Sequence, residues 1–254
     1  MGTSASKDES QEPGASASKN EGTNVKKVTF NAFDSVIVER DGKLVNISPT
    51  GNAGPDPSKC LNLMFYRNEI PTKPPPGALI EEILAWKGDY LKLEFEFHYL
   101  PWLFPNKDEA IANKHSVPLQ PTEAQAIQND PVLRGRVLRA YKMMLDFFGT
   151  ELVSEETGAV QRNAANWRER FVNLNKSAKN HLRITRIIKS LGELGFEHFQ
   201  LPLILFIMKE VMETKELSRI SSDSIGHFIG AVKNDEKRAL LTKEFTHIVT
   251  SDKS

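Results

Sequence analysis

A disulfide within the chain is excluded, because Cys60 is the only cysteine among its 254 residues. A lone thiol fits a reducing compartment better than a secreted one. Charge of one sign is equally scarce: 33 lysines and arginines balance 33 aspartates and glutamates, so no global field attracts nucleic acid or anionic lipid. Long apolar runs are missing too. The most apolar stretch, Leu201 to Met208, is interrupted by Pro202 and falls well short of the roughly 20 residues that cross a bilayer. It reads as buried helix. The first residues carry no basic patch followed by an apolar segment, so no secretory signal is visible. Met1-Gly2 with Ser6 matches a myristoylation start only loosely.

The devices of catalysis are also lacking. There is no Walker loop, no dinucleotide-binding glycine fingerprint and no nucleophile elbow. The histidines at 98, 115, 181, 198, 227 and 247 include no pair at helical ligand spacing, and no Cys or acidic cluster joins them. Glu197 beside His198 resembles a base with its orienter, but adjacent helical residues do not face each other. The expectation is a binding protein, not an enzyme, with neither cofactor nor metal.

What the sequence does contain falls into three regions. Residues 1–27, rich in Ser, Gly, Glu and Lys, bury too little apolar surface to offset ordering entropy and are expected to be a disordered tail. Residues 28–57 hold two β-rich runs, FDSVIV and KLVNI, around the turn pair Asp41-Gly42, then a Pro/Gly linker. They predict a small β-hairpin, since Asp-Gly accepts the positive φ that a tight turn needs. Residues 58–250 read as a helical domain. Pro74-Pro75-Pro76-Gly77 forces a loop, Leu79 to Trp86 a short helix, and Tyr90 to Phe104 a short helix followed by an extended loop. Thr122 with Gln125 suggests a capping box.

The clearest helix follows. Asp130 caps it, Pro131 suits its first position, and Leu133, Val137, Tyr141, Met144, Leu145 and Phe148 form one apolar face ending at Gly149. After a loop at Gly158, a helix carries Ala164, Trp167, Phe171 and Leu174. Another, from about Asn180, buries Leu182, Ile184, Ile187, Ile188, Leu191 and Leu194. Phe196 to Thr214 is apolar nearly all round, as a helix in the middle of a bundle is. Two shorter helices close the pattern, around Phe228 and Phe245. With no repeat of solenoid length, the fold expected is all-α, a compact multi-helix bundle with a buried central apolar helix.

Two features stand above background as binding candidates. Arg162 to Lys189 is strongly basic, with Glu169 its single acid, and Lys179, Arg183 and Arg186 fall at steps of four and three on one helix stripe, followed by Lys189. Such a stripe suits phosphate, nucleic acid backbone or the carboxylates of an acidic peptide; the plainer reading is a solvated face. Trp102 and Phe104, between Pro101 and Pro105, are either core anchors or a recognition wedge whose backbone the prolines pin.

NLMFYRNEIP (62–71), WKGDY (86–90), WLFP (102–105), RAYKMMLDFFG (139–149) and NHLRITRIIKSLGELGFEHFQ (180–200) resemble the conserved region of the opioid growth factor receptor family, over roughly residues 58–248. The resemblance implies an α-helical domain binding an opioid peptide of the met-enkephalin type and restraining cell growth. It implies the nucleus, perinuclear region and cytoplasm, with peripheral association at the nuclear membrane and no transmembrane segment. A peptide amine would want a carboxylate, for which Glu193, Glu197 and Asp89 lie nearest the matching strings. The alternative is a nuclear or cytoplasmic adaptor holding a protein or nucleic acid through the basic face.

Overall fold

The computed structural model describes residues 28–30, 36–40, 43–47, 60–107 and 116–251. The chain divides into two compact units, Met1–Gly54 and Pro55–Ser254. In the first, β1 (Val28–Phe30), β2 (Val36–Arg40) and β3 (Lys43–Ile47) form an antiparallel sheet in that order. The two β-rich runs pair from Arg40 opposite Lys43 to Val36 opposite Ile47, and β1 adds a third strand outside β2. The Asp41-Gly42 turn, the tail and the linker lie outside the described residues.

Among its described residues the second unit is all-α apart from one small hairpin. Its helices are α1 (Leu61–Tyr66), α2 (Ile80–Leu84), α3 (Tyr90–Phe95), α4 (Leu100–Leu103), α5 (Pro121–Asn129) and α6 (Pro131–Phe147). After the hairpin of β4 (Thr150–Leu152) and β5 (Val160–Arg162) come α7 (Trp167–Lys176) and α8 (Ala178–Glu193). A 3-10 turn (Glu197–Phe199) leads into α9 (Gln200–Met212), α10 (Ser222–Gly230) and α11 (Asp235–Ser251). One core cluster joins the elements, with α6, α8 and α9 supplying Val137, Met144, Ile188, Leu191 and Ile204, all essentially inaccessible.

Several helix boundaries follow local chemistry. Asp130 caps α6 by accepting from the amides of Val132 and Leu133, and Pro131 occupies its first position. Gly149, at φ +83°, ends the segment; a Cβ there would meet Arg170 and Trp167. The capping box of α5 is formed by Gln120 and Glu123, not by Thr122 and Gln125. Glu123 is fully buried and accepts from the amides of Gln120 (2.9 Å) and Leu63 (3.1 Å) and from Asn62 Nδ2 (3.1 Å), tying α5 to α1.

The segment read as a loop at Gly158 is the β4–β5 hairpin, pinned by Arg162, whose guanidinium reaches both carboxylate oxygens of Glu210 on α9. Helix α7 therefore starts only at Trp167, after Ala164. Pro101 lies in the first turn of α4, where a missing N–H costs nothing, so the expected extended loop contains a short helix. Helix α11 has 17 residues and is not short. In the central apolar α9, Leu203, Ile204, Ile207 and Met208 are buried while Leu205 faces outward.

Helix α8 departs most from its periodicity. Leu182 is 70% exposed and Arg183 only 6%. The reason lies in α3 and α4, whose terminal carbonyls have no partner within their own helices. Arg183 donates to the carbonyls of Leu93 (3.0 Å) and Glu94 (2.8 Å). One turn on, Arg186 donates to Phe104 O (2.9 Å) and Pro101 O (3.4 Å), and Ser190 Oγ to Pro105 O (2.8 Å). The stripe faces the protein because it satisfies buried backbone. Arg183→Met, which keeps bulk and removes the donors, is expected to cost about 1 to 3 kcal/mol by leaving those carbonyls unsatisfied. Denaturant unfolding measures it, and an unchanged midpoint would contradict the clamp.

His181 adds a second tie. Its Nε2 lies 3.2 Å from Leu174 O on α7, and its Nδ1 3.2 Å from Ser224 Oγ on α10. Burial lowers its pKa below the usual imidazole value, against the opposing pull of the Leu174 carbonyl. The unfolded chain therefore takes up a proton that the native state resists, so stability falls as pH drops through the ordinary imidazole range. His181→Gln should flatten the pH dependence of Tm between about pH 7.5 and 5.5. A wild-type slope in that variant would assign the effect elsewhere.

Candidate functional site

The residues singled out by sequence separate into distinct places. Trp102 and Phe104 are fully buried, and Trp102 packs 5.5 Å from Phe65, so they anchor the core and present no recognition wedge. Of the basic stripe, Lys179 is exposed. Arg183 and Arg186 turn inward as described, because bonding to buried carbonyls outweighs solvation here, so no continuous cationic face results. Lys189 and Glu193 meet at a recess of about 190 Å³ with Lys107 and Lys233. There Glu193 pairs with Lys107 (3.2 Å), and Glu197 pairs with Lys233 (2.8 Å). Both carboxylates thus have internal cations. Asp89 lies elsewhere, capping α3 through the Lys92 amide.

A concave feature with mixed chemistry is a cavity of about 550 Å³ between the triple-proline loop, α2 and α3. Backbone chemistry shapes it. Thr72 N donates to Ala78 O (2.9 Å) and Ala78 N to Thr72 Oγ1 (3.0 Å), closing the loop across Pro74–Gly77. Gly77 has φ +58°, and a Cβ there would lie 2.0 Å from Thr72 O. The Lys73-Pro74 and Pro75-Pro76 peptide bonds are cis. Opposite the prolines stands Trp86, just past the end of α2, held edge-on to Tyr99 with ring centroids 5.6 Å apart.

Charges of both signs rim these apolar walls. Lys92 Nζ sits 4.4 Å from the Trp86 ring centroid, a cation–π contact. Glu82 and Glu96 line the same cavity, and Glu82 also holds the Leu79 amide at the start of α2 (2.7 Å). Burial pushes the Tyr99 phenol far up, so it stays neutral and donates to Leu93 O (3.1 Å). An aromatic wall, rigid prolines, one ammonium and two carboxylates can hold a small zwitterionic ligand with an aromatic or apolar side chain. They offer no nucleophile paired with a base, and among the described residues no group of three potential metal ligands occurs.

Sequence reasoning chose Trp102 and passed over Trp86. The usable signal was its setting: an indole at the end of a short amphipathic helix, two residues before the Gly88 turn. Gly77→Ala is expected to lower stability by more than about 1 kcal/mol, since both φ and space oppose a methyl group. Denaturant unfolding with tryptophan emission tests this, and an unperturbed variant would show that the loop tolerates another conformation.

Comparison with known proteins gives a consistent result. The conserved region of the opioid growth factor receptor matches residues 55–253. Opioid growth factor receptor-like protein 1 of Mus musculus is 44% identical over 193 residues, covering 75% of this chain and 41% of that protein. The same-named protein of Xenopus tropicalis is 43% identical over 188 residues, 74% and 36% of the respective chains. Opioid growth factor receptor of Homo sapiens is 42% identical over 181 residues, 71% of this chain and 26% of its own length. The chain thus spans less than half the length of these curated relatives. No solved structure matches it significantly.

Proposed function

The chain belongs to the opioid growth factor receptor family, and from that premise we propose that its helical domain binds an opioid peptide of the met-enkephalin type and takes part in signalling that restrains cell growth. The observation that supports a binding role is the cavity between the proline loop and Trp86, with Lys92 on one side and Glu82 and Glu96 on the other. A short peptide with free ends brings an amine for the carboxylates, a carboxylate for Lys92 and aromatic side chains for the indole and proline walls. The cavity volume, about 550 Å³, lies within the range of small-ligand sites, roughly 300 to 1,000 Å³.

The proposed setting is the nucleus, perinuclear region and cytoplasm, with any membrane contact peripheral. Among the described residues no helix is long and apolar enough to cross a membrane. The role is binding, not catalysis. An adaptor that grips a polyanion through Lys179, Arg183 and Arg186 finds less support, because two of those guanidinium groups hold the backbone of α3 and α4.

Isothermal titration calorimetry of the whole chain with met-enkephalin and a scrambled peptide tests the reading. Binding of met-enkephalin alone is expected, weakened about tenfold or more by Lys92→Met with Tm little changed, and by Trp86→Ala, whose lost packing on Tyr99 also lowers Tm. Equal or absent heats for the two peptides would overturn it.

A further inference from the structure

The side of α3 away from Trp86 carries a second feature. Leu91 and Phe95 are each 74% exposed and lie four residues apart, on one face of the helix. Phe97, 56% exposed, lies two residues on, against the ring of His98. Leu91 and Phe95 line a cleft of about 440 Å³ between α3 and α7. Apolar side chains this large, exposed together beside a cleft, mark an interaction surface more often than isolated ones do.

The cleft's charge specifies what fits it. Asp89, Glu94 and Glu169 line it, and the single cation among its lining residues is Arg170. That guanidinium is turned inward: the residue is 6% exposed, donates to Phe147 O (2.8 Å), and is stacked between the rings of Tyr90 (4.5 Å) and Phe147 (4.7 Å). Lys92, also on α3, reaches the other way to Trp86. The lining is therefore mainly acidic around an apolar strip, which favours a cationic partner over an anionic one.

We propose that the α3–α7 cleft docks a basic amphipathic helix of a protein partner, its apolar residues against Leu91 and Phe95 and its lysines or arginines against Asp89 and Glu169. Helix-in-groove recognition needs an apolar strip matching steps of three and four, and opposite charges flanking it set orientation and on-rate. The surface is separate from the Trp86 cavity and stands whether or not that cavity takes a peptide.

Fluorescence anisotropy with the intact chain tests this with two designed helical probes, one of leucine and lysine and one of leucine and glutamate. The lysine probe is expected to bind, the glutamate probe not, and affinity should fall with rising salt. Leu91→Ser with Phe95→Ser, and separately Glu169→Lys, should each weaken binding about tenfold or more. These side chains are exposed, so circular dichroism and Tm should match the parent. Equal binding of both probes, or undiminished binding by the variants, overturns the proposal. Sedimentation showing a dimer of the parent that the double serine variant abolishes would assign the face to a second copy and likewise overturn it.

Discussion

Main-chain carbonyls gripped by one polar stripe of α8 hold the whole α3–α4 region in place. Helices of six and four residues lie far below the roughly 12 to 15 residues at which an isolated helix becomes marginal in water. Their stability must come from outside. Arg183, Arg186 and Ser190 take the carbonyls at 93, 94, 101, 104 and 105, and Tyr66 Oη donates to Leu103 O at 2.5 Å. A buried guanidinium is costly unless every donor is used and its charge is met. Here Glu94 approaches Arg183 to 3.9 Å, and is itself oriented by Asn173 Nδ2 (3.0 Å).

That clamp settles which way each face of α3 points. At its other end Asp89 caps the helix, and Tyr90 Oη donates to Asp146 (3.1 Å) and accepts from Asn166 (2.6 Å), tying it to the end of α6. With both ends held, α3 cannot roll. One side presents Lys92 to Trp86 and the cavity; the other presents Leu91 and Phe95. Both candidate surfaces are thus products of the same backbone restraint.

Buried polar groups elsewhere follow the same logic, each joining segments distant in sequence. Glu123 links α5 to α1, and Gln200 Nε2 donates to Ile188 O (2.7 Å). Burial alone would raise the Glu210 carboxyl, but bonds from Arg162 and Thr214 outweigh it and hold its pKa below the usual range. Its contribution is therefore complete above the ordinary carboxylate range, begins to be lost as pH falls into that range, and is gone below the folded carboxyl's lower pKa. At His181 the pKa is lowered by burial of a neutral ring. Both make the native state yield to acid.

Local order was readable from sequence wherever neighbouring residues suffice. Asp130-Pro131 before a three-four apolar stripe specified α6 and its cap, and the pattern of apolar positions specified an all-α domain. Five short strings carried the family resemblance. What sequence could not reveal was direction of polar side chains: an arginine at helical spacing looks the same whether it faces water or an orphan carbonyl. Arg183 and Leu182 therefore exchanged places, Trp102 went into the core, and Trp86 became the wall of a cavity. Periodicity reports burial averaged along one helix. Which carbonyls need donors depends on where other helices end, and only the tertiary structure brings those ends together.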